Sequence, residues 1–197
     1  MALHFQIASR RDFKSIDLSE MHKLRAKVFK DRLGWEVPVL SGMEIDGYDA
    51  LDPYYMMIRE QGSCALRGCW RLLPTEGPYM LKDSFAALLH GDAAPSHPRI
   101  WELSRFAIRT DSDSDSRFGF SAVTMASFGE MIHYGRSNGI DRFVTVTTTG
   151  FERLLRRAGV VITRLGEPEQ IGIEKAVALY VEVEATYLAI YQQRLAC

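Results

Sequence analysis

Apolar and polar positions change rhythm along this chain, and the changes mark out its elements. "LHFQIA" near the start reads as a short strand. "DLSEMHKLRAKVFKDRLGW" follows, with Leu18, Met21, Leu24, Val28 and Leu33 at helical spacing. Asp17 or Ser19 is the predicted cap and Gly34 the predicted stop. "PVLSGMEIDGYDALDP" is broken by glycine and proline and reads as a loop. "YYMMIRE" and "ALRGCWRLLP" read as an antiparallel pair of strands joined through "QGS". "YMLKDSFAALLHG" predicts a short helix closed by Gly91, and "RIWELSRFAI" a central strand. "RTDSDSDSR" is polar and low in complexity. "SAVTMASFGEMIHYGRSNG" predicts an amphipathic helix from Ser121 to Asn138, with Ser121 as cap and Gly139 as stop. "RFVTVTTT" is a strand, "FERLLRRAG" a helix, "VVITRLG" and "AVALYVEVEA" further strands, and "YLAIYQQRLA" a helical tail.

Strands and helices alternate, but the early strands are joined by tight turns. That favours an α/β fold with a mixed central sheet flanked by helices on both faces. No repeat or linker divides the 197 residues, so one domain over 1–197 is expected. Net charge is −1, which gives no broad basic surface for nucleic acid. No apolar run approaches the roughly 18 residues of a bilayer span, and "MALHFQIASRRDFK" lacks a signal-peptide core. Three cysteines, Cys64, Cys69 and Cys197, make no disulfide framework and no zinc spacing. Reduced thiols in a cytoplasmic protein without stable membrane insertion are expected.

The chemistry lies in charges set among core residues. Glu102 and Arg105 interrupt an apolar strand, Arg71 sits in "GCWRLL", and Arg25 in the first helix. A buried charge needs a partner or costs several kcal/mol. Asp46 and Asp49, spaced by three with Asp52, are either turn residues or partners for those arginines. Glu102 and Arg105 are three apart, so on a regular strand they face opposite ways; either a bulge unites them or they do different jobs. "DSDSD" lacks the glycine and the terminal glutamate of a calcium loop, with Ser116 and Ala122 at those places, and no metal site is expected.

"LRAKVFKDRLGW", "EIDGYDALDPYY", "GCWRLLPTEGPYMLKDSF", "IWELSRFAI" and "VTVTTTGFERLLRRAG" together resemble the acyl-homoserine-lactone synthases, the LuxI-type autoinducer synthases of Gram-negative bacteria. The resemblance implies a fold similar to the GCN5-type N-acetyltransferases. It implies a reaction in which a fatty acyl group passes from acyl carrier protein to the amine of S-adenosylmethionine. The lactone then closes, and methylthioadenosine leaves. S-adenosylmethionine is a substrate, and no cofactor is implied. The family's motif positions correspond to Arg25, Phe29, Trp35, Asp46, Asp49, Arg71, Phe85, Glu102 and Arg105, and none is missing.

In those terms Asp46, Asp49 and Glu102 suit a cationic substrate, and Arg25, Arg71 and Arg105 suit its carboxylate and balance the acids. Phe29, Trp35 and Phe85 suit its sulfonium or adenine, though Trp35 and Phe85 read equally as core. Glu102 is the first candidate for the base that frees the amine, directly or through water. The helix after "SRFGFS" meets the acetyltransferase phosphate pattern only by half. Thr145 and Thr147 share a strand face; the family links a threonine in this strand to 3-oxo acyl chains, while ordinary strand propensity is the alternative. Arg153, Arg156 and Arg157 against Glu152 form a local basic patch suited to an acidic acyl carrier protein. Two rivals remain open: an acetyl-coenzyme A-dependent acetyltransferase and a non-catalytic sensor.

Overall fold

A computed structural model describes residues 2–109 and 122–195, with side chains through residue 190. Eight strands form a mixed sheet, and the chain divides into two compact units. One holds Met1–Leu72 and Ser104–Arg117, the other Leu73–Leu103 and Phe118–Cys197.

In the first unit, β1 (Leu3–Ser9) runs antiparallel to β4 (Tyr54–Glu60), pairing Leu3 with Glu60 and Ser9 with Tyr54. β4 runs antiparallel to β5 (Leu66–Pro74), with a register shift between Ile58 and Arg59. β5 neighbours β6 (Ile100–Ile108), whose second half belongs to this unit. Helix α1 (Ser15–Ala26) continues into a π-helical turn over Lys27–Arg32 and ends at Gly34, where φ is +68°. Its face at Met21, Leu24 and Val28 packs on Tyr55, Met57 and Cys69. Four consecutive β4 residues, Tyr55 to Ile58, are buried, so both faces of that strand are covered.

The helix begins earlier than its predicted caps. Lys14 holds the cap position without a side-chain bond, and Asp17 lies in the first turn, where a carboxylate favours the helix dipole. The segment expected to be a plain loop is ordered too. β2 (Val39–Leu40) and β3 (Met43–Glu44) form a hairpin closed by Ser41 and Gly42, both at positive φ, as a two-residue turn of this hand requires. A 3₁₀ turn, Gly47–Leu51, follows.

In the second unit the first half of β6 runs parallel to β7 (Arg142–Thr148). β10 (Glu174–Glu182) pairs antiparallel with β7, with β8 (Ile162–Arg164) and with β9 (Glu169–Ile171), a strand the sequence reading omitted. The helices are α2 (Met80–Asp83), α3 (Ala122–Ser137), α4 (Thr149–Arg157) and α5 (Val183–Leu195). The predicted helix over 79–91 is α2 plus a 3₁₀ turn, Ala86–Leu89. The strand read through "AVALYVEVEA" stops at Glu182, where α5 takes over. α3 lies close on β7: a Cβ on Gly135 would meet the Phe143 ring at 2.8 Å. The polar stretch, the Ser121 cap and "SRFGFS" fall outside the described residues. Among the described residues no helix is long and apolar enough to cross a membrane.

Candidate active site

Three arginines and three carboxylates meet inside the first unit. Arg25 comes from the last turn of α1 and shares the buried face of Met21 and Val28. Arg71 comes from β5, buried from Leu66 to Leu73. Arg105 comes from β6 and Glu44 from β3. Asp46 and Asp49 cap the 3₁₀ turn reciprocally, each side chain accepting the other's backbone N–H.

Their bonds leave little spare capacity. Asp49 Oδ1 accepts from Arg25 Nη1 at 2.8 Å, Arg71 Nη1 at 3.0 Å and the Tyr55 hydroxyl at 2.6 Å. Asp49 Oδ2 accepts from Arg25 Nη2 and from the Asp46 N–H, both at 2.9 Å. Asp46 accepts from Arg71 Nη1 at 2.5 Å and from Arg105 Nε at 3.1 Å. Glu44 accepts from Arg25 Nε at 2.5 Å and lies 3.1 Å from Arg105 Nη2. Arg71 Nε donates to Ser104 Oγ at 3.2 Å. Three positive and three negative charges cancel, the condition under which such groups tolerate burial. Arg71 Nη2 is buried and has no hydrogen-bond partner among the described residues.

Burial would raise the Asp49 pKa, but the hydrogen bonds and charge of Arg25 and the charge of Arg71 hold it well below the usual carboxylate range. Burial opposes the Arg25 charge, yet Asp49 and Glu44 raise its pKa above the ordinary value. Burial lowers that of Arg105 despite Glu44 and Asp46. Burial pushes the Cys69 thiol up to about 12, so it stays protonated and inert. His22 Nδ1 lies 2.9 Å from the Glu44 carbonyl oxygen, which only accepts, so Nδ1 carries the hydrogen. Burial, then the Arg25 charge, lowers the His22 pKa.

Aromatic rings border the cluster. Trp35, half-buried, stacks on Phe29 with centroids 5.4 Å apart and planes 5° from parallel. The Arg105 guanidinium lies 5.6 Å from the Phe29 centroid and that of Arg71 5.3 Å from the Tyr48 centroid.

The parity problem resolves at Arg105. Its φ is +54°, a left-handed residue inside a strand, at a cost on the order of 1–2 kcal/mol. Glu102, in the second unit, keeps other partners: it accepts from the Leu81 N–H at 2.8 Å and the Met80 N–H at 3.1 Å. Tyr79 at the α2 cap position makes no side-chain cap bond, so a distant strand supplies the cap. The Phe85 N–H donates to the Met80 carbonyl, and its ring is half-buried. Thr145 and Thr147 stand half-buried opposite Leu179 and Val177. On α4, Arg153 and Arg157 are exposed and Leu155 is buried, while Arg156 donates to Glu152.

A model of the autoinducer synthase family matches residues 9–189. The chain belongs to the autoinducer synthases. It is 52% identical to the acyl-homoserine-lactone synthase of Pseudomonas aeruginosa, covering 97% of this chain and 98% of that one. It is 39% identical to that of Vibrio anguillarum, covering 94% and 93%. The crystal structure of the synthase LasI superimposes with a TM-score of 0.88 at 50% identity, over 97% of this chain and 95% of the other. FeeM, an N-acyl amino acid synthase at 13% identity with a TM-score of 0.66, shares the fold, as does an N-acetyltransferase-like protein of Lactobacillus plantarum at 11% and 0.59. This autoinducer synthase is an acyl-homoserine-lactone synthase, which removes the sensor and acetyltransferase readings.

Sequence reasoning missed four members of the synthase's cluster: Glu44, Tyr55, Ser104 and His22. Glu44 had a usable signal, since the Ser41-Gly42 turn places "ME" on a hairpin strand beside Asp46. Asp52 stays outside, held by Ser9 at 3.1 Å and Arg11 at 2.7 Å.

Proposed function

We propose that this synthase takes S-adenosylmethionine as its amino substrate and acyl carrier protein as its acyl donor, acting as one synthase domain in the cytoplasm. The substrate ammonium gives one proton to solvent, the freed amine nitrogen attacks the thioester carbonyl, the C–S bond of the donor breaks, and the nitrogen's second proton passes to the leaving thiolate. The substrate carboxylate then attacks the carbon bearing the sulfonium, that C–S bond breaks, and neutral methylthioadenosine leaves.

The observation that carries the substrate reading is Arg71 Nη2, a buried donor of the cluster that has no hydrogen-bond partner among the described residues, as Glu44 Oε1 is a buried acceptor with only the ion-pair approach of Arg105. A buried guanidinium N–H without an acceptor is costly, and a substrate carboxylate supplies one. In this reading Asp46 and Asp49 are not bases. They hold Arg25, Arg71 and Arg105 in place. Trp35 offers its ring to the sulfonium or adenine. Phe85 borders α2, whose N-terminal N–H groups Glu102 orders, so Glu102 is a positioning residue. Thr145 reads a 3-oxo group on the acyl chain, and Thr147 lies on the same face.

Arg153 and Arg157, with Arg156 beside them, support a large acidic donor. Coenzyme A is the second reading, favoured by the 26%-identical BjaI, whose structure is described as a coenzyme A-dependent synthase with S-adenosylmethionine and isopentyl-coenzyme A. Incubating the protein with S-adenosylmethionine and either octanoyl carrier protein or octanoyl-coenzyme A tests both. Mass spectrometry is expected to find lactone and methylthioadenosine in equal amounts from the carrier protein. Turnover with coenzyme A alone would overturn the donor assignment.

A further inference from the structure

Tyr55 is a buried phenol with no part in the chemistry proposed for the cluster. It stands on β4, 1% exposed, packed among Met21, Leu24 and Met57. The His22 ring lies nearly perpendicular to it, with centroids 6.4 Å apart. Its hydroxyl donates to Asp49 Oδ1 at 2.6 Å. Burial, then the charge of Asp49, raises the Tyr55 pKa, so the hydroxyl keeps its hydrogen. The same Asp49 Oδ1 accepts from Arg25 Nη1 and Arg71 Nη1, and Oδ2 accepts from Arg25 Nη2 and the Asp46 N–H. That makes five donors on a carboxylate with about four lone-pair sites. Asp46 is engaged as well. Its Oδ1 accepts from Arg71 Nη1 at 2.5 Å and from the N–H groups of Tyr48 and Asp49, and its Oδ2 from Arg105 Nε at 3.1 Å. Arg71 Nη2, on the guanidinium that joins these two carboxylates, has no hydrogen-bond acceptor among the described residues.

We infer that Tyr55 is a positioning residue: its hydroxyl fills an acceptor site of Asp49, denies that site to Arg71, and so keeps Arg71 Nη2 for the carboxylate of the substrate. Asp49 Oδ1 already holds Arg71 Nη1 at 3.0 Å. A small turn of the planar guanidinium brings Nη2 onto an Asp49 oxygen once the phenol's hydrogen is gone. Guanidinium and carboxylate favour such two-pronged pairing. An Arg71 satisfied inside the protein has one donor fewer for the substrate, and the substrate must then displace Asp49 to bind. A phenol suits the task because it donates one short hydrogen bond and adds no charge to three arginines set against three acids. The inference rests on the reading of Arg71 as the contact for the substrate carboxylate.

The test compares S-adenosylmethionine with its decarboxylated form, the latter used as a competitive inhibitor, in the parent enzyme and in Tyr55→Phe. The two ligands share the sulfonium, the adenosine and a primary amine, and differ in the carboxylate. Tyr55→Phe is expected to raise the KM for S-adenosylmethionine about tenfold, the effect of one hydrogen bond to a charged group. The kcat is expected to stay within threefold and the inhibitor Ki within twofold. Neither constant depends on how much of the variant is folded, so a less stable variant still decides the matter. An unchanged KM overturns the inference. So does an equal weakening of both ligands, which marks a purely structural phenol. Arg71→Lys, which keeps the charge without the fork, separates the two levels. If Arg71→Lys raises the KM and leaves the Ki while Tyr55→Phe changes neither, only this inference fails. If Arg71→Lys leaves both constants at their parent values, the Arg71 reading fails, and this inference with it.

Discussion

The molecule uses arginine and carboxylate in two opposite ways. In the first unit Arg25, Arg71 and Arg105 meet Glu44, Asp46 and Asp49 away from solvent, three against three. On α4 and β8 of the second unit Arg153, Arg156, Arg157 and Arg164 are exposed; Arg156 and Arg164 share the carboxylate of Glu152, and Arg164 lies 3.8 Å from the exposed Glu167. The buried set is neutral because desolvation leaves no alternative: an unmatched charge there costs more than any contact returns. The surface set stays unbalanced because water screens it, and the imbalance is what an acidic partner feels. In the proposed function one arrangement shapes a binding site and the other steers a macromolecule.

The contrast breaks most visibly if a buried arginine proves dispensable. Arg25→Met leaves Glu44 and Asp49 without their main partner, at roughly 3–5 kcal/mol. A fall in Tm of about 6–20 °C is expected for a chain of this size, whereas Arg153→Met should move Tm by about 2 °C or less. Thermal melts of both variants decide it, and a parent-like melt for Arg25→Met would sink the buried-cluster account.

Glu102→Gln is the next largest effect. A carboxamide has one oxygen where two backbone donors wait, so the Met80 or Leu81 N–H loses its acceptor at about 1–3 kcal/mol. Displacement of α2 should lower kcat by about 10²-fold, with the same loss at every pH between 6 and 9. A loss confined to low pH would instead mark Glu102 as the base.

These two residues also mark what the sequence made legible. Arg25, Arg71, Arg105 and Glu102 stood out because each charge interrupts an apolar pattern, and strand and helix periodicity located their elements. Glu44 did not stand out: it lies among glycine, proline and acids that read as loop, and its burial depends on a hairpin of two-residue strands. Tyr55 and Ser104 look like ordinary strand residues, since only tertiary contact gives their hydroxyls partners. Arg105's positive φ and the partner of Glu102 are likewise set by packing, which no spacing reports.

A smaller effect comes from pH. The His22 pKa is lowered below 6.5 in the folded chain by burial and Arg25. Below 6.5 the unfolded chain binds a proton that the folded chain refuses, so stability falls as pH drops through that window. The slope is at most about 1.4 kcal/mol per pH unit. His22→Gln should flatten urea-derived stability between pH 6.5 and 5.5. An undiminished slope would place the effect elsewhere. The smallest effect is Thr145→Val, expected to shift the ratio of 3-oxo to unsubstituted products by less than about tenfold, the worth of one hydrogen bond. An unchanged ratio would leave the threonine a strand former.

Ionic strength tests the division between buried and surface charge most directly. With the parent enzyme, kcat/KM for octanoyl carrier protein and the KM for S-adenosylmethionine are measured together from about 0.01 to 0.3 M salt, over which the screening length falls from about 30 Å to under 10 Å. Surface steering predicts that the carrier-protein value drops about tenfold or more. A substrate held by a buried, balanced cluster predicts a KM for S-adenosylmethionine that changes by less than twofold. Two parameters that weaken in parallel, or a carrier-protein value indifferent to salt, would contradict it.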